Sequence, residues 1–190
     1  GRFRGMQDQK ISSSKLQNYL DEAVAAALKA RALLLNYYGD LSQVEDKGKE
    51  GLVSEADLES EKLIISHLSE KFPKISFLAE EDSFKKQSEG HGESTPLAQD
   101  QWIVDPLDGT TNYIHQFPIF CISIGLQINN EIQVAVIDVP MLGRTYTAIK
   151  GGGAFCNGQP VKVSQSTELK DCLLATGFRS SDKELFADQL

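Results

Sequence analysis

The 190-residue sequence is poor in cysteine, histidine and basic side chains, and each shortage removes a class of function. Its three cysteines, Cys121, Cys156 and Cys172, are odd in number and far apart, so they form neither a disulfide framework nor a CxxC metal site. A reducing cytoplasm is the default compartment for such a chain. His67, His91 and His115 lack the spacing of zinc ligands. Lys and Arg number 19 against 27 Asp and Glu, a formal charge of −8. That balance argues against a nucleic-acid platform, whose phosphate contacts need clustered cations, and against an anionic membrane surface. No run of eighteen apolar residues offers a membrane span. Gly1 to Gly5 carry two Arg with no apolar segment of signal-peptide length behind them, and read as a tag remnant before Met6. Repeats and low-complexity tracts are absent. With 41% hydrophobic and 24% charged residues, what is left is the composition of a globular chain with one good core. The expected organisation is a disordered or tag-derived stretch over residues 1–11 and one domain over 12–190.

Ser12 to Ser14 offer N-caps to an Ala-rich helix with Leu16, Leu20, Val24, Ala27 and Leu34 near helical spacing, closed by Gly39. The polar run Glu45 to Gly51 reads as a mobile loop. Ser54 caps a second helix in which Ile64, Leu68 and Phe72 recur every four residues, ended by Phe72-Pro73. The period then changes. Ile75 to Ala79 and Gln101 to Val104 are short apolar strands, each running directly into an acidic residue, with a long polar loop over 84–100 between them. Cys121–Ile128 and Ile132–Val139 are joined by Asn129-Asn130-Glu131, a hairpin signal, Thr145–Ile149 is a further strand, and Asn157-Gly158 marks another turn. Leu173 to Thr176 reads as a last strand. Two helices followed by a strand meander predict an α+β fold, with the helices packed on a largely antiparallel sheet.

Three segments can carry chemistry. In Asp105-Pro106-Leu107-Asp108-Gly109-Thr110-Thr111-Asn112, Pro106 fixes φ and Gly109 permits a tight path, so two carboxylates can converge. Two carboxylates, a backbone carbonyl and neighbouring hydroxyls form a hard oxygen set suited to Mg²⁺. The Gly109-Thr110-Thr111 amides that follow can open a helix toward an anion. A capping Asp in an Asx turn is the commoner use of an isolated pair of this kind. Glu80-Glu81-Asp82 ends its own strand. Glu80, directly after the apolar run, is the one expected to point inward, and three carboxylates meeting there would repel without a cation among them. Asp57 lies three residues after Ser54, which fits a capping box and equally a carboxylate that orients a hydroxyl or a water.

Leu78-Ala79-Glu80-Glu81, Trp102 through Tyr113, His115-Gln116-Phe117-Pro118, Ser123-Ile124-Gly125 and Gly151 through Gly158 resemble, in order and at its spacing, the inositol monophosphatase family. The resemblance spans about residues 15 to 175 and implies a Mg²⁺-dependent phosphatase of the layered αβαβα sugar-phosphatase fold. It matches Glu80, Asp105 and the Leu107 carbonyl to ligands of a first Mg²⁺, and Asp105 and Asp108 to ligands of a second. Glu80 also faces a weaker third site. Asp57 and Thr110 match a pair that orients and deprotonates the attacking water. Asp108, Gly109, Thr110 and Thr111 match the substrate and phosphate contacts, and Lys47 or Lys49 a loop lysine. A small phosphorylated polyol substrate, inhibition by Li⁺ and a homodimer are further implications, with no nucleic acid and no membrane.

Where the family places Asn or Asp before Leu-Val-Thr/Ser, Gly51 stands here. The family's second motif, a Trp-Asp followed by small residues, does not appear, since the single tryptophan is Trp102. The expectation is therefore a chain lacking most of the family's C-terminal α/β half, with poor turnover by residues 1–190 alone. A phosphatase of 3′-phosphoadenosine nucleotides shares the same metal core, and a non-catalytic binding protein of the transcription machinery is the alternative of another class.

Overall fold

The computed structural model describes residues 11–46, 52–79 and 100–175. The chain opens with α1 (Ser13–Tyr37), capped by the Ser12 side chain, which accepts from the Lys15 amide. Its buried stripe, Leu16, Tyr19, Ala23, Ala26, Ala27, Ala30 and Leu34, is narrow and largely alanine, so neighbouring elements approach it closely. Gly39 follows with φ +85, the left-handed position a helix terminus favours. The strands β1 (Val44–Asp46) and β2 (Leu52–Ser54) form an antiparallel ribbon that leads into α2 (Glu55–Lys71). β3 (Ser76–Ala79), β4 (Gln101–Asp108), a single helical turn α3 (Thr110–Ile114), and β5 (Cys121–Ile128) come next. β6 (Glu131–Val139), β7 (Arg144–Ile149), β8 (Gly153–Cys156) and β9 (Gln159–Val161) complete the strands.

β3 to β9 lie in chain order in one seven-stranded sheet, antiparallel except for the parallel pair β3–β4. Along β5, burial alternates strictly. Ile122, Ile124, Leu126 and Ile128 face the helices, and the odd residues face the other way. Val134 and Val136 of β6 and Trp102 and Val104 of β4 continue the inward face. α1 packs over β5, β6 and β7, and α2 over β4. Tyr19, Phe72 and Trp102 close that core with edge and tilted ring contacts at 4.7–6.1 Å. The α+β architecture matches the reading of the sequence.

Several local expectations do not. Glu45 and Asp46, read as the start of a polar loop, belong instead to a strand and pair with Val53 and Leu52. Asp105 to Asp108 extend β4 instead of following it. Leu173 to Ala175 carry no strand; Leu173 is fully exposed, and without a facing surface its apolar run has nothing to pair on. No helix among the described residues is long and apolar enough to cross a membrane. Residues 1–10 and the segment from 176 onward fall outside the described residues.

Candidate active site

The site begins with an irregularity in β4. Asp105 pairs with Ser123 and Asp108 with Cys121, so Pro106 and Leu107 oppose the single residue Ile122. Pro106 has no N–H to give the ladder and occupies the position where pairing lapses. The bulge leaves Pro106 and Leu107 buried, Asp105 half-buried and Asp108 exposed. One peptide inside it is held at both ends. The Pro106 carbonyl accepts from the Ser60 hydroxyl of α2 at 3.2 Å, and the Leu107 N–H donates to Asp105 Oδ1 at 3.2 Å.

Gly109 joins β4 to α3 at φ +95, and a Cβ there would lie 3.1 Å from the Ile119 carbonyl oxygen and 3.3 Å from Phe120 Cα. Glycine is therefore demanded twice, by conformation and by space. The turn it opens is anchored at Tyr113, whose hydroxyl donates to the Leu34 carbonyl of α1 at 2.5 Å and whose ring meets Phe120 edge-on. Burial, and then the nearby Asp57 charge, push the Tyr113 hydroxyl well above the usual tyrosine range.

From the opposite side comes the start of α2, where Ser54, Asp57, Ser60 and Glu61 are all buried. Ser54 and Asp57 form a capping box. Asp57 Oδ2 accepts from the Ser54 N–H at 2.8 Å and from the Ser54 hydroxyl at 2.5 Å. Asp57 Oδ1 accepts from Thr110 Oγ1 at 2.8 Å, and that same oxygen of Thr110 lies 3.0 Å from the Leu107 carbonyl. Capping and hydroxyl-orienting, alternatives in the sequence, are thus two uses of one carboxylate. The neighbouring Glu55 accepts from the Ser42 amide at 2.6 Å and the Ser42 hydroxyl at 2.9 Å, which holds its carboxyl below the usual range.

Asp57, Thr110 and the Leu107 carbonyl are therefore in direct hydrogen-bond contact, and Asp105 is one peptide away. Asp108 sits at the outer end of the bulge, and Gly109 and Thr111 lie at the head of α3. Glu80, Lys47 and Lys49 lie outside the described residues. Among the described residues no group of three or more His, Cys, Asp or Glu side chains is placed to hold a metal ion. The donors that are present, two aspartates and a carbonyl, are hard oxygen ligands of the kind Mg²⁺ takes. Cys121 points its Sγ at Asp108 Oδ2, 3.6 Å away. Burial and then the Asp108 charge push its thiol up to about 12, so it stands there as a neutral donor and not as a soft thiolate ligand. The register Asp108 opposite Cys121 was the missing signal, because chain order alone does not pair residues thirteen apart. Ser60 carries no sequence signal at all, being one of many serines on helices.

The model of the inositol monophosphatase family matches residues 15–190. The chain belongs to that family. Inositol monophosphatase 3 of Solanum lycopersicum is 40% identical to it over 176 residues, covering 93% of this chain and 64% of the relative. The chain thus spans less than two thirds of the length of that curated relative. The solved IMPase of Thermotoga maritima superposes with a TM-score of 0.76 at 29% identity, over 90% of this chain and 64% of the other. An IMPase/NADP phosphatase solved with NADP and Ca²⁺ superposes with a TM-score of 0.68 at 26% identity, over 82% and 57% of the two chains.

Proposed function

We propose that this protein is a Mg²⁺-dependent phosphomonoesterase of small polyol phosphates, with inositol monophosphate as the leading substrate. The observation that carries the reading is the part-buried Asp57–Thr110 hydrogen bond beside the bulge that bears Asp105, Asp108 and the Leu107 carbonyl. Asp105, Asp108, the Leu107 carbonyl and Glu80 are the residues to hold the cation or cations. Bound there, Mg²⁺ supplies charge neutralisation on the phosphoryl oxygens and an acidified water.

The chain's own groups do the rest. Thr110 Oγ1 gives its single proton to Asp57 Oδ1 and keeps lone pairs for the proton of the attacking water. As water adds to phosphorus and the ester P–O bond breaks, the water's proton passes to Thr110 Oγ1 while the Thr110 proton moves to Asp57; the departing alkoxide takes a proton from solvent to leave as the alcohol, and Asp57 later returns its proton to solvent, so that both residues are regenerated. Asp57 can be the final acceptor because it is the charged member of the pair. The amides of Gly109, Thr110 and Thr111 hold phosphate oxygens at the head of α3, where Gly109 lets the backbone approach. Assembly as a homodimer, sensitivity to Li⁺ and a cytoplasmic setting belong to the same reading.

A second substrate class is favoured by the similarity to an enzyme solved with NADP. Phosphate release from inositol monophosphate, a 3′-phosphoadenosine nucleotide and NADP, each with and without Mg²⁺, separates the two. Release from the inositol ester alone, and only with Mg²⁺, is the expected result. Release from the nucleotides alone moves the substrate class, and no release from any of them leaves a binding role for the fold.

A further inference from the structure

We infer that the pairing of Asp108 with Cys121 across the bulge makes Asp108 a one-oxygen ligand, and that Cys121 is thereby a specificity-determining residue that favours Mg²⁺ over Ca²⁺. The inference rests on the proposed phosphatase reading and deepens it, from which residues take a cation to which cation they take. Register brings the two side chains together. The bulge sets Asp105 opposite Ser123 and Asp108 opposite Cys121. Ser123 and Cys121 are alternate residues of β5, on the face turned away from the helices. Residues directly opposite each other in a ladder share a face, so both aspartates come out on that side of the sheet. In a regular strand, positions 105 and 108 would fall on opposite faces. Asp108 is exposed at the outer end of this arrangement, and Cys121 is half-buried. Among the described residues, the donor to the Asp108 carboxylate is the Cys121 thiol, 3.6 Å from Oδ2.

A carboxylate can give a cation one oxygen or both. Giving both requires the cation to sit in the fork of the group, at like distances from the two oxygens. The thiol holds Oδ2 toward β5, which turns the fork away from a cation that approaches Oδ1. Mg²⁺, with short bonds and a strict octahedral shell, is served by a single oxygen from each carboxylate and loses nothing. Ca²⁺ is larger, takes more oxygens and readily uses both from one carboxylate, so for Ca²⁺ the thiol withholds a ligand. Neither of these hard cations seeks the sulfur itself, so Cys121 acts on the choice of metal through Asp108.

The test titrates the full protein, Cys121→Ala, Cys121→Val and Cys121→Ser calorimetrically with MgCl₂ and, separately, with CaCl₂. The quantity read is the ratio of the two affinities. A general loosening of the site weakens both cations and cancels in that ratio, so a merely structural role does not move it. Cys121→Ala removes the donor and should tighten Ca²⁺ relative to Mg²⁺ about three- to tenfold, the scale of one hydrogen bond. Cys121→Val, close to cysteine in size and suited to a strand, should show the same shift and serves if the alanine variant does not fold. Cys121→Ser keeps a donor on the same carbon, and the exposed carboxylate can close the small gap to the shorter hydroxyl. Its ratio should stay within about twofold of the unsubstituted protein's. An unchanged ratio in the donorless variants, or an equal shift in Cys121→Ser, overturns the inference and leaves the phosphatase reading standing. If the unsubstituted protein binds neither cation, the metal-dependent reading falls and the inference falls with it.

Discussion

Arg31 of α1 and Asp138 of β6, 107 residues apart in the chain, form a bidentate ion pair in which Arg31 Nε donates to Oδ2 at 2.8 Å and Nη2 to Oδ1. Thr145 of β7 completes it, donating its hydroxyl to Asp138 at 2.7 Å and accepting from Arg31 Nη2 at 2.9 Å. The two partners are unequal, since Asp138 is fully buried and the Arg31 side chain is 21% exposed. Removing Arg31 therefore strands an anion in the core, whereas removing the charge of Asp138 leaves a cation that can reach water. Arg31→Ala should cost about 3–5 kcal/mol in urea unfolding, the range for a buried pair broken on one side. Asp138→Asn should cost about 1–3 kcal/mol, as for unsatisfied polar groups. Equal losses would mean the arginine carries no more of the burden than its partner.

Asp105→Asn should abolish phosphate release and leave the thermal transition at or above its original temperature. The amide oxygen of Asn can still accept the Leu107 N–H that Asp105 Oδ1 now accepts, so the bulge keeps its inner hydrogen bond. Loss of one negative charge from an acidic site relieves repulsion in the metal-free protein. Near-normal turnover would place the cation elsewhere.

Gly109→Ala should destabilise the protein by about 1–3 kcal/mol, the range for a residue forced into a sparsely populated backbone region. The added methyl meets backbone at Ile119 and Phe120 rather than a side chain that can swing away. Calorimetry of the single variant tests this, and a melting temperature within a degree of the original would show that α3 can shift.

The Glu55 carboxyl, depressed by donors from Ser42 and Gln43, links stability to acid. Its folded value lies below its unfolded one, so its contribution is complete above the ordinary glutamate range and fades as pH falls through the lower folded value. Carbon-detected NMR titration should show Glu55 ionised at a pH where exposed glutamates are half protonated. In Glu55→Gln, the acid limb of the stability curve should become shallower.

Periodicity alone made the two long helices legible, because Leu16 to Leu34 and Ile64 to Phe72 repeat with no competing signal. Turn chemistry placed the hairpins: Asn129, Asn130, Asn157 and Gly158 all adopt the positive φ that tight two-residue turns require. The β1–β2 ribbon was hidden because three-residue strands are too short to show a period, and polar residues around them look like loop. The apolar run ended the strand at Val104, and the bulge that lets β4 run on past Pro106 is a tertiary accommodation that no local pattern announces. At the site, Asp57, Asp105, Asp108 and Thr110 were legible as residue types in a motif. The local Ser54–Asp57 bond was legible as a capping box, whereas the bond from Ser60 to the Pro106 carbonyl depends on how α2 docks against β4 and was not.

The placement of α1 has a consequence for the birth of the protein. α1 leaves the ribosome well before β5, β6 and β7, the strands that it covers. Roughly a hundred residues must be added before the sheet reaches its apolar stripe, a wait of about 5–20 s at ordinary rates of synthesis. Through that interval the stripe is presented mostly as alanine, Ala23, Ala26, Ala27 and Ala30, in place of leucine or phenylalanine. The same small side chains that let the finished helix lie close to the sheet make the nascent one a poor nucleus for aggregation and a weak client for chaperones.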